Sequence, residues 1–155
     1  MDMTVDYDLL AQQLASLAEG EHLRLPVLAN ATALIMETLP DVSWAGFYLT
    51  RNGELVLGPF QGKVACMHIA WGKGVCGTAA QLDQTQLVPN VHEFAGHIAC
   101  DSASNSEVVI PLHEGGAVAG VLDLDSTSLA RFTERDAQGL EQVIATLEGL
   151  LPNLS

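Results

Sequence analysis

Residues 107–126, EVVIPLHEGGAVAGVLDLDS, constrain the fold more than any other stretch of this chain. Two runs rich in valine, isoleucine and leucine flank a pair of glycines, which is the pattern of a β-hairpin. A three-residue loop, Glu114-Gly115-Gly116, would pair His113 with Ala117, because glycine can adopt the left-handed conformation that such loops need. The stretch therefore predicts two neighbouring antiparallel strands.

Three acidic residues of this hairpin are predicted to share one face. Asp123 and Asp125 lie two positions apart, so in a strand their side chains point the same way and Leu124 points the other way. The predicted loop places Glu107 opposite Asp123, with Asp125 one pleat further along. Opposed like charges destabilise a sheet and raise at least one carboxyl pKa. Three interpretations are open for this acidic patch: a solvated sheet face, a site for substrate, or a site for a hard cation. The apolar residues around it favour a site over a solvated face.

The remaining pattern predicts an α+β domain. Leucine spacing indicates two helices before residue 40. A hairpin, a third strand VACMHIA (residues 64–70), a glycine-rich short helix and the brief strand QLVPN follow. Thr133 and Asp136 resemble a capping box that opens a last helix. Helices at both ends of a hairpin-connected sheet, with no visible linker in 155 residues, indicate one domain.

The charge balance excludes several classes of partner. The chain has 6 Lys and Arg against 19 Asp and Glu, a formal net charge of -13. This argues against nucleic-acid binding, which depends on cationic contacts to phosphate. No apolar run reaches the roughly 18 residues of a membrane span, and no secretory signal pattern is present. The sequence therefore predicts a cytoplasmic protein without a membrane or nucleic-acid partner.

Cys100 is a candidate for thiol chemistry. It lies in the polar stretch of residues 91–106, three positions after His97. A cysteine in an exposed polar loop favours thiolate formation over packing, and a nearby histidine can assist it. Because cytosolic thiols are normally reduced and the chain has three cysteines, no structural disulfide framework is expected.

The other two cysteines have alternative interpretations. Cys66 falls in the predicted third strand, where a cysteine usually behaves as a small hydrophobe. Cys76 falls at a predicted helix start, which lowers a thiol pKa, although it could equally be a packed small residue. Cys66 and Cys100, with His68 and His97, could also form a four-ligand zinc site.

Two aromatic residues of SWAGFYLT are predicted to face the same way. Trp44 and Tyr48 lie four positions apart in a predicted strand, on the face that also holds Gly46. Core packing is one explanation. The other is a pocket wall for a small apolar group, since large rings beside a glycine leave room for a ligand.

Together these segments resemble the free methionine-(R)-sulfoxide reductases, which are GAF-domain enzymes. The matching motifs are WAGFYL, LVLGPFQGKVAC, GKGVCGTAA, GHIACDSAS, SEVVIPL and GVLDLDS, and they cover most of residues 41–132. The resemblance implies one GAF domain over residues 1–155, with a central antiparallel sheet of about six strands. It places the N- and C-terminal helices on one face of that sheet. Because several members are dimers, a homodimer is among the expected assemblies.

The resemblance also implies roles for the cysteines. Cys100 matches the catalytic cysteine, Cys66 the resolving cysteine, and Cys76 a third cysteine that would be an auxiliary thiol. Attack by Cys100 on free L-methionine-(R)-sulfoxide would leave a sulfenic acid, and Cys66 would then form a disulfide with it. Thioredoxin or a similar dithiol would restore the enzyme. Neither a cofactor nor a metal is implied.

The pocket residues receive roles from the same resemblance. Trp44 and Tyr48 match the aromatic wall around the methyl end of the substrate. Glu107, Asp123 and Asp125 match acids that engage the sulfoxide and the amine. A carboxyl with a raised pKa, Glu107 or Asp125, would protonate the sulfoxide oxygen, and Asp123 would hold the amine. The alternatives are a non-catalytic GAF module that binds a small molecule and a zinc-binding protein.

Overall fold

The computed structural model describes residues 4–97 and 103–155. Within these ranges the helices are α1 (Tyr7–Leu17), α2 (Arg24–Thr38), α3 (Gly74–Leu82) and α4 (Glu134–Leu150). The strands are β1 (Trp44–Arg51), β2 (Glu54–Gln61), β3 (His68–Ala70), β4 (Gln86–Val88), β5 (Ser106–Glu114) and β6 (Ala117–Ser126). None of the helices in these ranges has the length and apolarity needed to span a bilayer.

The six strands form one antiparallel sheet in the order β3-β2-β1-β6-β5-β4. This confirms the predicted α+β class and strand number. The long strands β1, β6 and β5 lie next to one another in the middle of the sheet, so side chains from distant parts of the sequence meet on each of its faces.

Helices α2 and α4 pack against one face of the sheet and α1 packs on both of them, so the terminal helices lie on one face as predicted. The alternating residues Leu122 and Leu124 of β6 and Phe47 of β1 point into this core. They pack in one cluster with Leu10, Leu14, Ile35, Leu140 and Ile144 of the helices. Burial of each such side chain contributes about 1.5–3 kcal/mol to the hydrophobic driving force. The opposite face of the sheet is thereby left for α3 and a second, smaller cluster.

The turn between β5 and β6 differs from the predicted three-residue loop. Glu114 pairs with Ala117, so the turn has two central residues, Gly115 and Gly116. Their φ angles are 61° and 81°. Two consecutive positive φ values are typical of a type I′ turn, which glycine forms without steric cost. The register of the hairpin is therefore shifted by one residue from the prediction at the turn.

A bulge in β6 shifts the register again. His113 pairs with Val118, whereas Leu112 pairs with Gly120, which leaves Ala119 without a partner residue in the ladder. Beyond the bulge the observed register differs by two residues from the predicted one. Because side chains alternate with a period of two, a shift of two preserves the face on which each side chain lies.

Strand β3 is shorter than the predicted VACMHIA strand. It covers only His68–Ala70, so Cys66 lies in the connection before it, and the placement of Cys66 within a strand is wrong. Two side chains of β1 donate hydrogen bonds to the backbone of this connection. Trp44 Nε1 donates to the carbonyl of Lys63 at 3.0 Å, and the hydroxyl of Tyr48 donates to the carbonyl of Cys66 at 2.9 Å.

The contact between α1 and α4 is tight. Thr133 and Asp136 form the predicted capping box at the start of α4. The Tyr7 hydroxyl of α1 donates to Asp136 Oδ1 at 2.6 Å. The ring of Tyr7 lies directly over Gly139, where an added Cβ would be 2.1 Å from the ring Cγ. Only glycine therefore fits at this position without moving the tyrosine.

His113 of β5 is held between carboxylates of two other elements. Its Nε2 lies 2.5 Å from Asp83 Oδ1 at the end of α3, and its Nδ1 lies 2.6 Å from Glu148 Oε2 of α4. The hydrogen bond with Asp83 raises the pKa of His113 above the ordinary 6.5; burial opposes this rise, and Glu148 adds to it.

The free energy of unfolding should fall as the pH rises through the raised pKa of folded His113. Below pH 6.5 the imidazolium is charged in both states and its ion pairs stabilise the fold fully. Urea unfolding across a pH series should show this slope, and His113→Gln should lose it. His22→Gln, at an exposed histidine, is the matched control and should retain it. An unchanged slope in His113→Gln would refute this linkage.

Candidate active site

The central strands bring the three predicted acids to one face of the sheet. Glu107 of β5 pairs with Asp125 of β6, and Asp123 pairs with Val109. The predicted pairing of Glu107 with Asp123 is therefore wrong, while the prediction that all three acids share a face is confirmed. We call Glu107, Asp123 and Asp125 the acid cluster.

The acid cluster is buried rather than solvated. Glu107, Asp123 and Asp125 are 6%, 6% and 9% exposed. Burial raises the pKa of Glu107 well above 4.5, and the charges of Asp123 and Asp125 raise it further. Burial also raises the pKa of Asp123, against hydrogen bonds that lower it. Glu107 is thus favoured as the protonated member of the acid cluster at neutral pH. Because all three side chains are buried, the interpretation of this patch as a solvated face is wrong.

Trp44 and Tyr48 form an aromatic wall beside the acid cluster. Across the β1–β6 ladder Trp44 pairs with Asp125, and Gly46 pairs with Asp123. The two rings stack with centroids 6.0 Å apart and an interplanar angle of 24°. A Cβ at Gly46 would lie 2.6 Å from the Trp44 ring, so the glycine permits this ring position. The prediction that both aromatics face the same way as Gly46 is confirmed.

The described cysteines differ in chemical state. Cys66 is disulfide-bonded, whereas Cys76 of α3 is a free, buried thiol. Burial raises the pKa of Cys76 well above its ordinary value, and the nearby carboxylates, Asp123 first, raise it further. The suggestion that a helix start lowers this pKa is wrong, and the packed alternative is confirmed. Cys100 lies outside the described residues.

One cavity lies between the acid cluster and the aromatic wall. Its volume is about 40 Å³, enough for a few water molecules. Besides these five residues the lining comprises Val64, Ala65, Ile69, Lys73, Gly74, Val75, Cys76, His97 and Ser104. Most residues singled out in the sequence therefore meet at one place, although they come from β1, α3, β5, β6 and the intervening loops.

Two buried polar atoms that line this cavity have no hydrogen-bond partner. They are Ser104 Oγ and Asp123 Oδ1. Buried polar groups are usually paired, so two unpaired atoms at one cavity indicate a polar ligand. Ser104 was missed in the sequence, where a serine in a polar loop gives no signal; only its 5% exposure distinguishes it.

The structure does not bring together the described members of the predicted zinc set. Cys66 is disulfide-bonded, and exposed His68 places its Nδ1 2.8 Å from Glu54 Oε1. Within residues 4–97 and 103–155, the one group of three ligand-type side chains close enough for a metal is Cys76, Glu107 and Asp123. A shared zinc site for Cys66 and His68 is therefore not supported.

Comparison with known proteins places this geometry in a family. Residues 23–150 match the GAF domain profile. The chain is 52% identical over 151 residues to the free methionine-R-sulfoxide reductase of Escherichia coli (strain K12), covering 97% of this chain and 92% of that protein. It is 44% identical to the protein of the same name from Saccharomyces cerevisiae, covering 88% of this chain and 82% of the relative.

Solved structures agree with the sequence relatives. The X-ray structure of free methionine-R-sulfoxide reductase from Neisseria meningitidis in complex with its substrate superposes with a TM-score of 0.91 at 41% identity. The alignment covers 95% of this chain and 89% of the Neisseria chain. On this sequence identity and shared fold, the chain belongs to the free methionine-(R)-sulfoxide reductases, a family of GAF-domain oxidoreductases.

Proposed function

We propose that this chain reduces free methionine (R)-sulfoxide to methionine with electrons from thiols, and that Cys100 is the nucleophile. The main observation in support is that one cavity pairs a buried acid cluster with an aromatic wall. A free amino acid sulfoxide has matching groups, namely a positively charged amine, a polar sulfoxide oxygen and an apolar methyl group. The relatives from E. coli and S. cerevisiae are named for this activity.

In this proposal the two sides of the cavity bind opposite ends of the substrate. The methyl group packs against Trp44 and Tyr48, and the amine pairs with Asp123, whose Oδ1 has no hydrogen-bond partner. Val64, which lines the same cavity, is 89% exposed, so the cavity borders solvent on this side.

The chemical step transfers oxygen from the substrate to Cys100. The Cys100 thiolate attacks the sulfoxide sulfur while Glu107 protonates the sulfoxide oxygen, which gives an adduct with a new S–S bond and a hydroxyl on the substrate sulfur. The hydroxyl then moves to the Cys100 sulfur as the S–S bond breaks. The electron pair of that bond goes to the substrate sulfur, which leaves as methionine, and Cys100 becomes a sulfenic acid. A raised pKa of Glu107 supports this role, because the carboxyl must hold a proton at neutral pH.

The resolving step forms a disulfide and releases water. The Cys66 thiol attacks the sulfenic sulfur of Cys100, and the hydroxyl leaves as water with one proton. The involvement of Cys66 in a disulfide, with Cys76 as a buried free thiol, supports Cys66 over Cys76 in this role. An external dithiol, such as thioredoxin, would then reduce the enzyme by exchange.

The specificity test compares three substrates with a thiol reductant. Free L-methionine-(R)-sulfoxide should be reduced, whereas the free (S) epimer and a peptide that contains methionine sulfoxide should not. The reason is that a pocket that binds amine and methyl at fixed positions accepts one sulfur configuration and no peptide bond. Chromatography of the methionine formed measures each rate, with Cys100→Ser as the inactive control. Equal turnover of both epimers, or full activity of the control, would contradict the proposal.

A further inference from the structure

We propose that Cys76, Glu107 and Asp123 form a binding site for a thiophilic divalent cation such as Zn²⁺, and that the bound cation inhibits the reductase. The Cys76 Sγ and one carboxylate oxygen from each acid all lie within 4.8 Å of one another. All three side chains are buried. The part of the inference that concerns inhibition rests on the proposed function; the binding part does not.

The ligand types select the class of cation. One sulfur and two carboxylate oxygens suit zinc, which binds thiolate at about 2.3 Å and carboxylate at about 2.0–2.2 Å. Magnesium and calcium prefer sets of oxygen ligands and do not favour a thiolate. Cys76 Sγ lies 4.0 Å from Glu107 Oε2. Tetrahedral geometry with those bond lengths separates sulfur and oxygen by roughly 3.5 Å, so a small movement closes the site.

Unpaired polar atoms at the cavity point independently to a ligand. Asp123 Oδ1 has no hydrogen-bond partner, although Asp123 is 6% exposed. Ser104 Oγ, outside the acid cluster, is likewise unpaired and lines the same cavity. A cation would use the free lone pairs of Asp123 Oδ1. A water bound to the cation in its fourth position would offer a hydrogen-bond partner to the hydroxyl of Ser104.

Cation binding would remove the groups that the reaction needs. The cation takes the carboxylate oxygens of Glu107 and Asp123 as ligands. Glu107 then has no proton for the sulfoxide oxygen. Asp123 is also occupied and cannot pair with the substrate amine. The cation and the substrate should therefore exclude each other.

The test uses Co²⁺ as a spectroscopic probe of thiolate ligation in the oxidised protein, in which Cys66 is disulfide-bonded and Cys76 is a free thiol. One equivalent of Co²⁺ should give a thiolate-to-cobalt charge-transfer band, and Zn²⁺ should displace it. Cys76→Ser should abolish the band. Asp123→Asn should keep the band but weaken binding by more than about tenfold, since even the loss of a hydrogen bond to a ligand costs roughly 10–100-fold.

Competition tests the inhibition separately from turnover. In a Cys66→Ser/Cys100→Ser variant, whose one cysteine is Cys76, free methionine (R)-sulfoxide should displace Co²⁺ and the (S) epimer should not. Glu54→Gln, which changes an acid paired with His68 away from the cavity, is the control and should bind Co²⁺ normally. Absence of the band in the oxidised protein, or its persistence in Cys76→Ser, would overturn the site. Binding of Co²⁺ without displacement by the (R) epimer would overturn the inhibition.

Discussion

Glu107→Gln should lower kcat/KM for free methionine (R)-sulfoxide by about 10²–10⁴-fold, the usual contribution of a general acid or base. The two side chains have the same shape, but the amide cannot transfer an acidic proton. Burial and the neighbouring charges raise the pKa of Glu107 well above 4.5, so the wild-type carboxyl holds the proton that the sulfoxide oxygen needs. Steady-state methionine formation with a thiol reductant measures the change.

The pH profile separates loss of the acid from a packing defect. In the wild type, kcat/KM should fall as the pH rises through the raised pKa of Glu107, and the variant should lack that limb. Asp123→Asn should mainly raise KM, because the substrate amine loses its countercharge. Asp125→Asn, at the residue paired with Glu107, tests the other candidate donor. Small and equal effects of all three substitutions would remove the acid cluster from the mechanism.

Gly139→Ala should destabilise the fold by about 3–5 kcal/mol, from overpacking of the helix contact and loss of a hydrogen bond to a carboxylate. The added Cβ would lie 2.1 Å from Tyr7 Cγ, and because the backbone fixes this atom, alanine has no rotamer that could move it away. The ring of Tyr7 must move, and its hydroxyl then leaves Asp136 Oδ1, which it contacts at 2.6 Å. Urea unfolding measures the loss.

Gly149→Ala is the matched control in the same helix. A Cβ at Gly149 would meet nothing within 4 Å, so the substitution tests helix propensity alone. It should stabilise the protein by up to about 1 kcal/mol, because alanine favours the helix over glycine. If both substitutions shift the unfolding midpoint in the same direction, the tight Tyr7–Gly139 contact does not determine the packing of α1 on α4.

The faces of the central strands could be predicted from the sequence, whereas their pairing could not. In any extended segment, Leu122 and Leu124 lie on one face and Asp123 and Asp125 on the other, whatever strand pairs with it. The pairing of Glu107 depends on the loop and on the bulge, and the letters EGGAVAG allow both a two-residue and a three-residue turn. Backbone twist and packing select between them.

The pKa, burial and position of individual site residues could not be predicted from the sequence either. Cys76 lies at the start of α3, which by itself favours a thiolate, yet its burial against carboxylates has the larger effect and raises its pKa. In the sequence Ser104 is one polar residue of a polar segment, and only the fold shows that its side chain is buried. Cys66 lies outside β3, and its carbonyl accepts a hydrogen bond from the hydroxyl of Tyr48, which is distant in sequence. Each outcome depends on tertiary neighbours that no local pattern encodes.

The bulge near the tip of the β5–β6 hairpin determines whether the active site can assemble. Continued without this bulge, the register of the two-residue turn would pair Glu107 with Leu124 and put it on the opposite side of the sheet from Asp125, even with every catalytic side chain still present. The extra residue Ala119 brings Glu107 back into pairing with Asp125. One unpaired residue at this remote tip is therefore a condition for assembling the site.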